Sequence, residues 1–242
     1  MSRDEINIDF ERASRIGLEE AILCEGKNTN QLDSILDEAA YSGASLLLTR
    51  LTPASFAELN SRHRALMDFD SVSRTGFYGA PHALTRREPR VAIVTAGTSD
   101  VPVGREATRT LRYFGEPVLE VCDVGIAGLW RLLERIDEIR KMPVVIVAAG
   151  MDGALPSVVC GLVPGIVVAL PTSVGYGAAE GGRTALNAAL ASCASGMLTV
   201  NIDNGYGAAC AGLRALAAFG ARSMGPVEKS GCPQRVGADQ DT

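Results

Sequence analysis

The sequence predicts an α/β protein built on a doubly wound, mostly parallel sheet, with a smaller α/β region ahead of it. Three observations carry that expectation. Apolar, β-branched runs recur at 91–94, 118–121, 144–147, 166–170 and 198–202. Each is followed by a glycine-bearing loop and then by a helical pattern, the β–loop–α order that builds parallel sheets through right-handed crossovers. The runs at 91–94, 144–147 and 166–170 are also apolar throughout instead of alternating, as strands covered by helices on both faces must be.

The elements divide the chain into three stretches. Residues 1–88 make the amino-terminal α/β region and its linker. Helical signals span 29–40 and 53–65, and the ASLLLTR stretch at 44–50 reads as a buried strand. Residues 81–90 (PHALTRREPR) mix prolines with arginines and read as the linker. The core is expected over 89–220. Residues 221–242 have almost nothing apolar to bury and are expected to be a disordered tail.

Composition narrows the function. Of the 242 residues 47% are hydrophobic, enough for a core of ordinary density. The net charge of −5 is spread along the chain, which leaves no basic face for nucleic acid and no polybasic patch for anionic lipid. No apolar run approaches the roughly 20 residues of a membrane span, and residues 1–10 lack the pattern of a signal peptide. The six cysteines fall singly, without C-x-x-C spacing, so neither a disulfide framework nor a zinc site is indicated. A reduced, cytoplasmic setting is the simplest reading.

Ligands of doubly wound sheets bind outside the carboxyl ends of the strands. Five loops fall there. The first contains Thr95, Gly97, Thr98 and Asp100; the second Asp123 and Gly125; the third Met151, Asp152 and Gly153; the fourth Ser173, Gly175 and Gly177; the fifth Asp203 and Asn204. Glycine lets backbone N–H groups approach a ligand, and the helix N-termini that follow favour anions. Any one such loop is better explained as a tight βα turn. All five together, with acids in four of them, read as a binding edge. Walker A and an opening G-x-G-x-x-G are both missing.

The only histidines, His63 and His82, precede the core, so an acid or base there must be Asp, Glu, Cys, Tyr or Lys. His63 reads as a helix-surface residue and His82 as part of the linker. Among the thiols, Cys122 in a strand and Cys160 in an apolar helix read as small core hydrophobes. Cys24 and Cys232 have no chemistry attached to them, and Cys210 lies inside a helix. Cys193 differs: it interrupts SCASG between a helix and the next strand, where small neighbours leave its sulfur accessible.

At this point the motifs resemble a known family. IVTAGTSD (93–100), DVGIAG (123–128), AGMDGALPSVV (149–159), PTSVGYG (171–177), ASCASG (191–196) and VNIDNGYGA (200–208) stand in the order that marks the LarB proteins. Gly26-Lys27-Asn28 and Leu48-Thr49-Arg50 look like that family's amino-terminal region. The resemblance spans 6–219. It implies a flavodoxin-like core similar to aminoimidazole ribonucleotide carboxylases of the PurE type, which form octamers with ligand sites between subunits. Those carboxylases use a histidine after the second strand, where this chain reads Asp123-Val124-Gly125.

What the resemblance implies is carboxylation of nicotinic acid adenine dinucleotide at pyridine C5, with cleavage of its phosphoanhydride. The products are pyridinium-3,5-biscarboxylic acid mononucleotide and AMP, on the way to a nickel-pincer nucleotide cofactor. Carbon dioxide or bicarbonate is the co-substrate, Mg²⁺ is implied, and no bound redox cofactor is expected. Cys193 falls on the family's nucleophile. Asp152 stands where the family carries glutamate and is the acid–base candidate, while the remaining loop residues named above are expected to bind substrate. Because Cys193 precedes its strand, it is expected at the edge opposite the five loops. A homo-oligomer with shared sites, an octamer by resemblance, would bring the two together, and the small-residue helix at 185–194 invites such packing. Two other readings stay open: a PurE-like carboxylase or mutase of an aminoimidazole ribonucleotide, and a nucleotide-binding module without turnover.

Overall fold

The computed structural model describes residues 6–84 and 86–223. The tail expected from 221 therefore lies almost wholly outside the described residues.

The amino-terminal unit is a mixed four-stranded sheet in the order β1-β2-β4-β3, formed by β1 (Ala21–Leu23), β2 (Leu46–Thr49), β3 (Met67–Asp70) and β4 (Thr75–Tyr78). The first pair is parallel and the other two are antiparallel. A short helix α1 (Arg12–Ile16) precedes it, and α2 (Thr29–Ser42) crosses from β1 to β2. A reciprocal cap starts α2: Asn28 accepts from the Gln31 amide at 2.9 Å, and Gln31 accepts from the Asn28 amide at 3.0 Å. Gly43, left-handed at φ 68°, ends it.

The helix expected over 53–65 is two helices, α3 (Pro53–Glu58) and α4 (Ser61–Arg64). Buried Leu59 turns to an extended ψ of 152°, and Asn60 caps the second helix through the Arg62 amide. This break corrects the placement of His63. Only 2% exposed, it is a buried residue whose ring lies 3.3 Å from the Tyr78 hydroxyl and 3.0 Å from Asp37.

The second sheet is five-stranded and wholly parallel, in the order β6-β5-β7-β8-β9. Its strands are β5 (Val91–Thr95), β6 (Val118–Val121), β7 (Val144–Ala149), β8 (Ile166–Pro171) and β9 (Leu198–Thr199). Its helices are α5 (Val101–Tyr113), α6 (Leu129–Ile139), α7 (Ala154–Cys160), α8 (Arg183–Leu190) and α9 (Gly205–Ser223). This is the flavodoxin-like order, reversing direction between β5 and β7. Successive side chains point to opposite faces: Val91 and Ile93 pack with Leu111 of α5 and Ala208 of α9, while Ala92 and Val94 pack with Leu132 of α6 and Val159 of α7.

Three expectations are corrected at the edges of this sheet. β9 stops at Thr199 because the residues after it bend into the turn that starts α9. The helix expected over 185–194 ends at Leu190, and Cys193 lies in the loop beyond it. Cys122 is exposed just past the end of edge strand β6, and Cys160 is half-buried at the last turn of α7, so neither is a fully enclosed core residue.

The two sheets share α5. Its Arg109 donates to the Thr75 hydroxyl at 2.7 Å and to the Asp68 carbonyl at 2.8 Å, and lies 4.0 Å over the Phe77 ring. Leu47, Phe77 and Tyr113 bury one another in a small core between the sheets. No helix of the described residues is long and apolar enough to cross a membrane.

Candidate active site

The five loops leave the same edge of the parallel sheet, and one carboxylate holds three of them. Asp100, 4% exposed, accepts from the Gly97 amide at 2.8 Å, the Gly150 amide at 3.1 Å and the Thr172 hydroxyl at 2.6 Å. It thus fastens the loops after β5, β7 and β8, and in this chain its oxygens are committed to the protein. Thr95, also buried, joins the second loop: its carbonyl accepts from Val124 at 3.1 Å and its hydroxyl from the Asp123 amide at 3.3 Å. Gly97 lies half-buried, while Thr98 and Ser99 stand exposed on the rim.

Close backbone approach explains the glycines. A Cβ on Gly125 would sit 2.8 Å from the Ala96 carbonyl oxygen, and one on Gly153 would sit 2.7 Å from Ala185 Cα. Gly175 is pressed against the Ala179 backbone, whereas Gly177 is exposed in open space with φ 58°.

Met151 and Asp152 are both exposed at the carboxyl edge. Met151 has φ 54° and donates its amide to the Val174 carbonyl at 2.7 Å. One Asp152 oxygen lies 3.4 Å from the Ala154 amide, so the carboxylate faces outward with spare acceptor capacity. Asp123, φ 59°, pairs with Arg131 at 2.8 Å. Asp203, φ 54°, accepts from the Ser173 amide at 2.8 Å, tying the last two loops together. Asn204 caps α9 through the Gly207 amide at 2.8 Å.

Cys193 is exposed and lies apart from these groups. The strands are parallel, so a residue entering β9 stands at the amino edge, opposite the loops that leave β7 and β8. Helix α8 starts beside Gly153 and carries the chain about 12 Å along its axis toward Cys193. The cysteine loop is pinned there. Ser192 and Ser157 share a hydroxyl hydrogen bond of 2.7 Å, and Ser192 accepts from the Ala194 amide at 3.1 Å. One chain therefore does not bring Cys193 to Asp152. Of the other thiols, burial pushes Cys24 up to about 12 and raises Cys210 and Cys160 above the usual thiol range. Such thiols supply little thiolate.

Sequence reasoning gave no role to three charged groups at this edge. Glu106 of α5 is 7% exposed, and its carboxyl is pushed up to about 7 by burial, opposed by Arg50, the Gly205 amide and Arg74. Nothing in VGREATRT sets it apart, because its burial comes from α9. A Cβ on Gly205 would fall 2.6 Å from the Val103 carbonyl oxygen, so only glycine lets the two helices meet this closely. Arg50 and Arg74 come from the amino-terminal sheet, and with Ser99, Glu106, Ser173 and Asp203 they line a cavity of about 200 Å³. Among the described residues no group of three or more His, Cys, Asp or Glu side chains could hold a metal ion.

Comparison with known proteins agrees with this architecture. Residues 3–79 match the LarB/PurE-like N-terminal domain, and residues 90–229 match the AIR carboxylase family. An uncharacterized protein of Methanocaldococcus jannaschii is 33% identical over 211 residues, covering 85% of this chain and 81% of that protein. An AIR carboxylase-like core behind a LarB-type amino-terminal unit, over nearly the whole chain, places this protein in the LarB family.

Proposed function

We propose that the protein is a carboxylase and hydrolase acting on nicotinic acid adenine dinucleotide, carbon dioxide and water. The products would be pyridinium-3,5-biscarboxylic acid mononucleotide and AMP. The observation that carries the reading is the exposed Cys193 thiol, held on a short pinned loop where the family motif places a nucleophile.

A pyridinium C5 is too electron-poor to attack carbon dioxide, and a thiolate changes that. The Cys193 sulfur adds to C4, giving a dihydropyridine in which C5 is the nucleophilic end of an enamine. C5 attacks carbon dioxide, forming the C–C bond and leaving an iminium at C6. Asp152 takes the proton from C5, restoring the enamine, and the nitrogen lone pair expels the thiolate to regenerate the aromatic ring. The steps replace C5–H by C5–carboxylate and release one proton, with sulfur returned unchanged. Cleavage of the phosphoanhydride consumes one water.

Cys193 and Asp152 stand at opposite edges within one chain, so the reaction requires Cys193 of a neighbouring subunit at the loop edge. Exposed Leu190, Leu198 and Tyr176 offer apolar surface for such packing. Magnesium would enter as the counter-ion of the substrate diphosphate, coordinated largely by phosphate oxygens. The aminoimidazole reading is less well supported. Its histidine has no equivalent in the core, and of the two in the chain His63 of α4 is buried against Tyr78 of the amino-terminal sheet.

Incubation with nicotinic acid adenine dinucleotide, bicarbonate and magnesium, followed by mass spectrometry, tests the proposal. The mononucleotide gaining one carboxylate, together with equimolar AMP, is expected. Unchanged dinucleotide, with aminoimidazole ribonucleotide consumed instead, would favour the second reading.

A further inference from the structure

The amino-terminal sheet sends two cations over the edge of the parallel sheet. Arg50 follows β2, and Arg74 sits in the turn between β3 and β4. Five non-glycine residues among those described have positive φ: Arg50, Arg74, Asp123, Met151 and Asp203. Three belong to the loop edge, and the two arginines, each at φ 53°, line the cavity beside it. Such backbone is strained for residues with a Cβ, and it persists where surrounding contacts fix it. Here the Leu51 amide donates to the Arg74 carbonyl at 2.8 Å and locks the two bends together.

The side chains are held unequally. Arg50 donates to the Asp203 carbonyl at 2.9 Å and reaches Glu25 at 3.4 Å. Arg74 is exposed, and among the described residues its guanidinium makes no hydrogen bond or ion pair. The exposed Ser99 and Ser173 hydroxyls line the same cavity and likewise bond to no protein group among the described residues. Two guanidinium groups, two idle hydroxyls, the buried Glu106 carboxyl and the Asp203 carboxyl, which the Ser173 amide already engages, thus line a cavity of about 200 Å³. That is smaller than the ~300–1,000 Å³ of pockets that enclose whole organic ligands. It suits a compact anion, since a guanidinium presents a planar fork of donors to phosphate oxygens.

We propose that Arg50 and Arg74 form a diphosphate subsite through which the amino-terminal unit grips the bridge of a dinucleotide bound along the loop edge. This rests on the reading of the substrate given above. It gives the amino-terminal unit a direct part in binding, with Arg74 as the free ligand group and Arg50 as the group that also ties the unit to the core. Glu106 is compatible with the anion because burial favours its neutral form, which can donate to a phosphate oxygen.

The test uses the full chain and the variant Arg74→Gly, which removes the guanidinium while relieving the left-handed strain. Titration calorimetry with inorganic pyrophosphate should show binding to the wild type, weakened about 10- to 100-fold in the variant, as loss of a charge-assisted hydrogen bond implies. The thermal midpoint should be equal or higher, and adenosine should distinguish the two proteins not at all. Arg74→Lys should recover part of the affinity. Absence of pyrophosphate binding by the wild type, or equal binding by Arg74→Gly, would overturn the subsite. Turnover keeps the two ideas separate. If wild type converts the dinucleotide while Arg74→Gly leaves both pyrophosphate affinity and KM unchanged, the subsite falls and the reaction stands. If no conversion occurs but pyrophosphate binding depends on Arg74, the subsite stands and the reaction falls.

Discussion

The Asp100 carboxylate accepts the Thr172 hydroxyl at 2.6 Å, and through this contact the loop after β5 is fastened to the loop after β8. The same side chain holds the Gly97 and Gly150 amides, so removing it strands three donors at once. Each buried donor left unpaired costs about 1–3 kcal/mol, and the three are not additive. Asp100→Ala is therefore expected to lose at least about 2 kcal/mol of stability in chemical denaturation. Wild-type stability in that variant would contradict the fastening role.

Cys193→Ser keeps the volume and replaces a thiolate by a hydroxyl that hardly ionises at neutral pH. Carboxylation should fall below detection while circular dichroism and oligomer size stay unchanged. Mixing wild type with the dinucleotide should raise a near-ultraviolet dihydropyridine band if the adduct accumulates. Cys122→Ser and Cys210→Ser should keep both the activity and the band, because the first thiol lies past an edge strand and the second is raised by burial. Product formed at wild-type rate by Cys193→Ser would end the covalent mechanism.

Asp152→Asn retains the hydrogen bond to the Ala154 amide but takes up no proton. Turnover should drop ~10²–10⁴-fold, the usual worth of general acid–base catalysis, with KM little changed. Asp152→Glu keeps the carboxylate and lengthens its reach by one methylene, and should stay within about tenfold of wild type. Normal kcat in the asparagine variant would assign Asp152 a positioning role.

Glu106 gives a pH dependence whose sign is fixed. The carboxyl rises from its ordinary 4.5 to about 7 in the folded protein, with burial and Asp203 raising it against Arg50, Arg74 and the Gly205 amide. Between those values the folded chain holds a proton that the unfolded chain has lost. The stability this group contributes is complete below about pH 4.5 and is lost as pH climbs through about 7. At 1.36 kcal/mol per unit the loss is roughly 3 kcal/mol. Glu106→Gln should flatten urea-denaturation stability across that window. The same slope in wild type and variant would show that another group titrates there.

Oligomerisation can be probed at Leu190, the residue that ends α8 and is 68% exposed. Leu190→Asp should reduce the mass measured by light scattering and abolish carboxylation, since the separated chain leaves Cys193 far from Asp152. A fully active monomer, wild type or variant, would remove the shared site.

The sequence showed the parallel sheet plainly because its three central strands are nearly continuous apolar runs, each closed by a glycine loop. It showed the amino-terminal unit less well. β3 and β4 read MDFD and TGFY, whose charged and small residues hide a hairpin that α5 covers. His63 reads as a surface residue because the helix interruption at Leu59 and Asn60, which turns it inward, has no strong signal. The gathering of the five loops on one edge was legible because the strand pattern alone fixes it. Glu106 and the two arginines were not, because their roles arise from contacts between residues more than 20 positions apart, such as Arg50 with Asp203.

Helix α5 serves both sheets, and that has a mechanical consequence. Its inner side closes the parallel core through Leu111, while Arg109 and Tyr113 close the amino-terminal sheet against Phe77 and Leu47. Trimming the chain back to the parallel sheet would leave Tyr113, now 1% exposed, open to water and would strip the Arg109 guanidinium of its acceptors. The amino-terminal unit is thus no detachable appendage. Heat or denaturant should melt the whole molecule in one step, and a shortened version should be prone to aggregate through the face that α5 no longer shares.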